Sequence, residues 1–340
     1  MVRYVRNAWY PLAYAKEVGT EPLCRTLFGR DLVAFRDADG VAAVLDDRCP
    51  HKSAPLSMGT VTDGVIACPY HGMEFDRSGA CRRIPGQATI PPKARVTAYA
   101  VLERFGLVWI WPGDPAKADP ALLPALPLSE VPGWTTFHGP RLVFESHIAN
   151  IVENLVDPAH TSFVHQKTIG GRDAGDVPLT TQENGRAIVT GRWIENSAPV
   201  PVMVRYGGFS GPVDRWQHYH LFAPNVSMVD MGAVEAGGAR DEAARNARYR
   251  TISCAALSPE TETTTHYFWW VTRNFAPGDA AVSAEMTEAY VATFDEDREL
   301  LARVQRLMAQ DAAPPLRLAI DEATIRLRRL IGAMLEAEAA

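Results

Sequence analysis

Cys49-Pro50-His51 and, after the sixteen residues from Lys52 to Ala67, Cys68-Pro69-Tyr70-His71-Gly72 form the stretch on which the reading of this 340-residue chain turns. Each of the two short loops presents one thiolate and one imidazole. Soft thiolate suits iron–sulfur or zinc and imidazole suits both, so ligand type alone leaves a Cys₂His₂ zinc site open. Zinc fingers pair like ligands with like, whereas here each loop carries a mixed pair. A mixed pair fits a [2Fe–2S] cluster with one iron on two cysteines and the other on two histidines, a ligation that raises the potential above that of all-cysteine clusters. Pro50, Pro69 and Gly72 would let both loops turn tightly and aim amides at the sulfurs. Zinc, and two unrelated Cys–His loops in a core, remain the rival readings. Cys24, Cys81 and Cys254 lack such neighbours and read as small buried thiols.

Around that stretch, residues 32–35, 41–45, 65–67 and 107–111 are short β-type runs bounded by turn signals such as Asp39-Gly40, an all-β pattern. Prolines at 112, 115, 120, 124, 127 and 132 follow, and their missing amide protons and fixed φ suit a linker laid over a surface. The boundary is placed near residue 115, giving domains of residues 1–115 and 116–340. Beyond it, strand-like runs at 186–193, 219–231, 250–256 and 263–275 mix with helical patterns near 145–165, 283–309 and 316–338, so this half is α+β. Residues 236–247, small and alternating in charge, predict a loop.

Within the second half, Asn154, Asp157 and His160 are spaced by three on one helical face, and His165 follows about one turn later. Asp157-Pro158 makes a good N-cap and N1 pair, so one helix is expected to end there and another to begin, swinging both imidazoles toward a common point. Two histidines are at most half a site, because a 2-His-1-carboxylate triad on ferrous iron also needs a carboxylate. The helix at 283–309 offers one by periodicity. Met286, Tyr290, Phe294, Asp297, Leu301, Val304 and Met308 form its apolar stripe, so Asp297 faces the core, while Asp295, Glu296 and Glu299 fall off that face. A buried carboxylate needs a cation. A metal is one, and an arginine is the other reading.

The bulk composition, 47% hydrophobic and 22% charged, is that of a soluble globular chain able to bury one large core or two moderate ones. A net charge of −6, with no Lys/Arg cluster interleaved with aromatics, argues against nucleic acid as a partner. No stretch approaches about 18 uncharged apolar residues, and Arg3, Arg6 and Trp9 have no apolar region behind them. A cytoplasmic protein with no membrane association is expected. Five scattered cysteines are too few for a disulfide framework, which leaves metal ligation as the better use of the patterned pair.

Taken together, Cys49-Pro-His51, Cys68-Pro-Tyr-His71-Gly and Asn154-Leu-Val-Asp157-Pro-Ala-His160 with His165 resemble the Rieske non-haem iron oxygenases. The resemblance runs over nearly the whole chain, through Asn7-Ala8-Trp9-Tyr10, Ile84-Pro85-Gly86-Gln87, the run from Trp109 to Pro115, Asp214-Arg215-Trp216-Gln217, Tyr267-Phe268-Trp269 and Arg273-Asn274-Phe275. It is similar to the branch holding vanillate O-demethylase, dicamba O-demethylase and toluenesulfonate methyl-monooxygenase. Ile90-Pro91-Pro92-Lys93 and Pro259-Glu260-Thr261-Glu262-Thr263 lean toward the last of these.

The resemblance implies an α+β chain: an N-terminal all-β Rieske [2Fe–2S] domain, then a helix-grip catalytic domain of antiparallel sheet with helices, assembled as a head-to-tail homotrimer. It implies Cys49, His51, Cys68 and His71 as cluster ligands, and His160, His165 and Asp297 as ligands of Fe(II). Asp157 matches the aspartate that joins a cluster histidine of one subunit, here His71, to an iron-ligating histidine of the next, here His160. Read alone, Asp157 is an N-cap. Asn154 matches a residue close to the iron. Asp230 and His266 stand where relatives place substrate-contacting polar groups, and the other reading of each is a hydrogen-bonded core residue.

The implied activity is that of an oxygenase component taking electrons from a separate reductase or ferredoxin, using O₂ and oxidising a methyl group of a small aromatic substrate. A methyl on an ether oxygen would give a hemiacetal that loses formaldehyde, net O-demethylation; a methyl on a ring carbon would give a benzylic alcohol. Aromatic cis-dihydroxylation uses the same metals. The rival from another class, a Rieske electron-transfer protein, would need only the first hundred or so residues and no buried Asp297 opposite two histidines.

Overall fold

Val33, Phe35, Leu45, Ile66 and Phe75 are fully buried, and they are the inward residues of strands too short to be stable singly. The computed structural model describes residues 3–126, 131–165, 174–310 and 316–339, so residues 127–130 of the proline-rich segment, with Pro127, lie outside the described residues. The chain divides into two units, residues 1–123 with 258–262, and residues 124–257 with 263–340. The proline-rich stretch up to Leu122 stays with the first unit, where the Trp9 indole donates to the Asp119 carbonyl and the Trp111 indole to the Asp114 carbonyl, each at 2.8 Å.

The first unit contains β1 (Tyr10–Tyr14), β2 (Leu23–Leu27), β3 (Arg30–Arg36), β4 (Ala42–Asp46), β5 (Thr60–Thr62), β6 (Val65–Ala67), β7 (Glu74–Phe75), β8 (Cys81–Arg83), β9 (Ala100–Arg104) and β10 (Leu107–Trp111). They pair into three antiparallel sheets, β1-β10-β9, β2-β3-β4 and β5-β6-β7-β8. One Cys/His loop leaves the end of β4 and the other joins β6 to β7. Cys81 and Cys254 are buried as expected, but Cys24 is exposed, because it sits on the edge strand β2 with its side chain turned outward.

The second unit is built on an antiparallel sheet. Its strands are β11 (Thr135–His138), β12 (Leu142–Phe144), β13 (Thr180–Asn184), β14 (Ala187–Ser197), β15 (Val213–Phe222), β16 (Val226–Glu235), β17 (Tyr249–Pro259) and β18 (Thr265–Arg273). The order is β11-β18-β17-β16-β15-β14-β13, with β12 also on β18. The helices are α1 (Ile148–Leu155), α2 (Thr161–Val164), α3 (Pro201–Gly207), α4 (Glu242–Asn246), α5 (Ala280–Gln310) and α6 (Glu322–Ala339). Among the described residues no helix is long and apolar enough to cross a membrane.

Period-2 alternation gives the sheet two distinct faces. Leu221, Ala233, Tyr249, Ala255, Leu257, Tyr267 and Trp269 belong to one apolar core with Ile151 and Val152 of α1 and Met286 of α5. Trp269 stacks on Tyr290 at 5.7 Å and meets Phe294 edge-on at 5.2 Å. Each such aromatic contributes about 1.5–3 kcal/mol by leaving water, enough to fix the rotation of α5.

Four sequence expectations change. The run 219–231 is two strands, because Pro224, which has no amide proton, and Asn225 sit in the turn between β15 and β16. Residues 236–247 include helix α4, started by Asp241, whose carboxylate accepts from Ala244 N at 2.9 Å. The stretch near 145–165 does break into two helices at Asp157-Pro158 as expected, but the pair is not the N-cap and N1 of the second: Asp157 closes a turn by accepting from Ala159 N at 2.7 Å, and α2 begins at Thr161, three residues past Pro158. The apolar stripe of α5 is buried at Met286 and Leu301, but Met308 is 55% exposed because the helix has run past the sheet.

Candidate metal centres

Each Cys/His loop is closed by its own backbone. Cys49 N donates to Ala54 O and Ser53 N to Cys49 O, both at 2.9 Å, while Cys68 N donates to Met73 O at 2.7 Å and Gly72 N to Cys68 O at 3.0 Å. Gly72 has φ +69°, and a Cβ there would come within 3.1 Å of Pro85 Cγ, so glycine serves both the turn and the close packing. The two loops bring Cys49 beside Cys68 and His51 beside His71. Cys49 and Cys68 are buried within the core of the unit, their thiols adjacent, and the amides of His51 and Lys52 point at the Cys49 sulfur. Burial pushes the Cys49 thiol up in pKa, and the neighbouring Cys68 adds to that. The His51 and His71 rings are exposed, with centroids 4.7 Å apart, and Tyr70 stacks on His71 at 4.0 Å. Two inner sulfurs and two outer imidazoles are the donor set that a [2Fe–2S] cluster with divided ligation requires.

In the second unit, His160, His165 and Asp297 each offer a ligand atom within 4.8 Å of the others. Asp297 is 6% exposed, with Oδ1 3.7 Å from His160 Nε2 and Oδ2 3.3 Å from His165 Nε2. Both rings face the carboxylate with Nε2 because Nδ1 is engaged elsewhere. His160 Nδ1 bonds the carbonyl of Asp157, and His165 Nδ1 lies 2.8 Å from Glu296 Oε2. Burial pulls both imidazoles toward neutrality; for His160 it prevails, whereas for His165 the carboxylates of Asp297 and Glu296 outweigh it and raise the pKa. Two imidazoles oriented by their outer nitrogens, around a carboxylate with no arginine in ion-pair contact among the described residues, fit a divalent iron.

Asn154, on α1, donates from Nδ2 to Asp297 Oδ1 at 3.2 Å. Asp157 Oδ2 is 3.9 Å from His160 Nδ1, so within one chain it is the backbone carbonyl of Asp157, not its carboxylate, that holds the ring. Burial raises the Asp157 pKa against the pull of His160. Tyr219, a buried residue, bonds Thr161 beside these groups.

Asp230 and His266 lie elsewhere. The unbroken register Leu221↔Ser227 through Trp216↔Gly232 puts Asp230 with Trp216, on the face away from Leu221, Ala233 and α5. Asp230 accepts from Trp216 Nε1 at 2.9 Å and from Arg250 at 2.6 Å, and pairs with Arg245. His266, between Thr265 and the α5-facing Tyr267, bonds Arg141 at 2.9 Å on that same far face. Strand parity thus places both side chains on the sheet face opposite the one that packs on α5.

Sequence reasoning missed Glu296. Helical periodicity marks only the face that meets the core, and Glu296 works from the flank, where a long side chain reaches round to His165. Three carboxylates in succession, Asp295, Glu296 and Asp297, were the available signal.

Comparison with known proteins follows the same two units. Residues 8–100 match the Rieske [2Fe-2S] domain, and residues 144–337, more than half of the chain, match the vanillate O-demethylase oxygenase C-terminal domain. A provisionally named toluene-4-sulfonate monooxygenase system iron–sulfur subunit of Comamonas testosteroni is 36% identical, covering 98% of each chain. A vanillate O-demethylase oxygenase subunit of a Pseudomonas species is 32% identical over 98% of this chain and 96% of its own. The crystal structure of dicamba monooxygenase bound to dicamba superposes with a TM-score of 0.90 at 30% identity, covering 99% of both chains.

Proposed function

The chain belongs to the Rieske non-haem iron oxygenases, in the vanillate O-demethylase branch, as the oxygenase component of a monooxygenase, and from that membership we propose that it oxidises the methyl group of a methoxylated small aromatic compound, releasing formaldehyde. The observation that carries the reading is the His160, His165 and Asp297 cluster with both outer ring nitrogens taken. Cys49, His51, Cys68 and His71 would hold the cluster and His160, His165 and Asp297 the ferrous iron; when bound, these groups supply electron transfer and O₂ activation. Asn154 steadies Asp297, and Glu296 keeps Nε2 of His165 directed inward. Asp230 and His266 brace the far face of the sheet.

Asp157 would carry the electron between subunits of a homotrimer, bonded to His71 of a second copy. Supporting this, His71 is exposed under Tyr70, itself 64% exposed, and Phe163 beside the Asp157 turn is 68% exposed. The electron donor is a separate reductase, and the compartment is the cytoplasm. A second reading, hydroxylation of an aryl methyl group, is favoured by the toluene-4-sulfonate relative. The test is to supply a surrogate reductase and follow formaldehyde and product mass over methoxybenzoates and methylarenes. Formaldehyde with a phenol supports demethylation, a benzylic alcohol supports the second reading, and a cis-diol overturns both.

A further inference from the structure

Arg192, on β14, is 3% exposed, and among the described residues no carboxylate lies within ion-pair distance of it. Its guanidinium is spent on three neutral acceptors. Nε donates to Gln217 Oε1 at 2.9 Å, Nη2 to the Pro158 carbonyl at 3.3 Å, and Nη1 to the Ala174 carbonyl. Burial lowers its pKa, and Asp157 is among the groups that oppose this. Burying a cation without a contacting counter-charge is costly, so the site retains Arg192 against its own desolvation.

The two backbone acceptors are informative. Pro158 and Ala174 flank the stretch that carries both His160 and His165, and Pro158 lies in the turn whose Asp157 carbonyl orients the His160 ring. The Pro158 carbonyl also accepts from Thr161 Oγ1 at 2.8 Å, which ties the turn to the first residue of α2. The planar fork of arginine reaches separate acceptors at fixed angles, which a lysine ammonium on a flexible stem does not.

We propose that Arg192 is a positioning residue for the histidine side of the iron triad: its guanidinium clamps Pro158 and Ala174 and so sets where His160 and His165 present Nε2. This rests on reading His160, His165 and Asp297 as the triad. Displacing the turn leaves the ligands present but misplaced, the kind of loss outer-shell partners of metal ligands produce, about 10- to 100-fold in metal affinity.

The experiment measures Fe(II) affinity of the mononuclear site, by competition with a chelator, in the wild type, Arg192→Met, Arg192→Lys and Gln217→Ala, each with its cluster loaded. Melting of the iron-free form and the ferrous circular dichroism spectrum are recorded alongside. Affinity about 10- to 100-fold weaker in Arg192→Met, only partly restored in Arg192→Lys, with an altered ferrous spectrum in both, supports the clamp; Gln217→Ala, which spares both carbonyl bonds, stays near wild type. Lowered melting with unchanged iron affinity and spectrum overturns it, as does a lysine variant equal to wild type. If Arg192→Met fails to fold, the lysine variant decides alone. A wild-type chain that takes up no second iron overturns the triad itself.

Discussion

Glu296 Oε2 lies 2.8 Å from His165 Nδ1, while the next residue along α5, Asp297, faces the Nε2 of the same ring. One imidazole is thus held from both edges by consecutive residues of one helix. A carboxylate on the outer nitrogen fixes the tautomer and raises ligand basicity. Glu296→Ala is expected to weaken Fe(II) binding about 10- to 100-fold, with Glu296→Gln weaker in effect because its amide oxygen still accepts. Iron titration against a chelator reads this, and wild-type affinity in the alanine variant would remove Glu296 from the site.

Asp297 has the inner position, and its loss is expected to be absolute. Asp297→Ala should purify with two irons per chain, those of the cluster, and none beyond. Cys68→Ser is the converse, losing the cluster's visible absorbance while the mononuclear site still takes up Fe(II). Metal analysis on both variants, with the cluster spectrum as a control, tests the two centres separately; a third iron persisting in Asp297→Ala would exclude it as a ligand.

Much of this was legible in the residues because ligand identity is chemical and local. The doubled Cys-Pro loops declare two thiolates and two imidazoles at any tertiary placement, and Asp297 is exposed as core-facing by its place among Met286, Tyr290, Phe294 and Leu301. The far-face location of Asp230 was not legible. Which side of a strand meets the core is set by its neighbours' register, and reading 219–231 as one run hid the turn at Pro224-Asn225 that separates β15 from β16. Contacts made around the flank of a helix, as by Glu296, or by a cation buried against carbonyls, as by Arg192, leave no periodic trace.

Asp157 is the residue whose proposed role extends beyond one chain. Its carboxylate is not needed to hold His160, since the backbone carbonyl does that, so Asp157→Asn is expected to retain both the cluster spectrum and mononuclear iron. If Asp157 bridges to a second copy's His71 as proposed, turnover should nearly vanish, because the charged link would be gone. Normal turnover in single-cycle and steady-state assays would sink the bridging role.

Asp230 offers the clearest separation of stability from chemistry. Burial alone would raise its pKa, but Arg250, Arg245 and Trp216 outweigh that and hold it below the usual carboxylate range. Removing one partner from such a buried cluster costs about 3–5 kcal/mol, so Asp230→Asn should unfold at markedly lower denaturant while binding iron as the wild type does. The sign of the pH dependence follows from linkage. A folded pKa below the unfolded value of about 3.9 means that this stabilisation is present above that value and is lost as pH falls through the folded pKa. His218, paired in register with Asp230, is pushed down to about 4 by burial and by Arg245. Because the unfolded imidazole binds its proton near pH ~6.5, stability also declines as pH falls from there to about 4. Denaturant unfolding from neutral pH downward should therefore show two successive losses in the wild type, with the lower-pH one reduced in Asp230→Asn and its remainder owed to carboxylates such as Asp214 and Asp76, also held low; an unchanged low-pH loss in that variant would assign all of it to those other carboxylates.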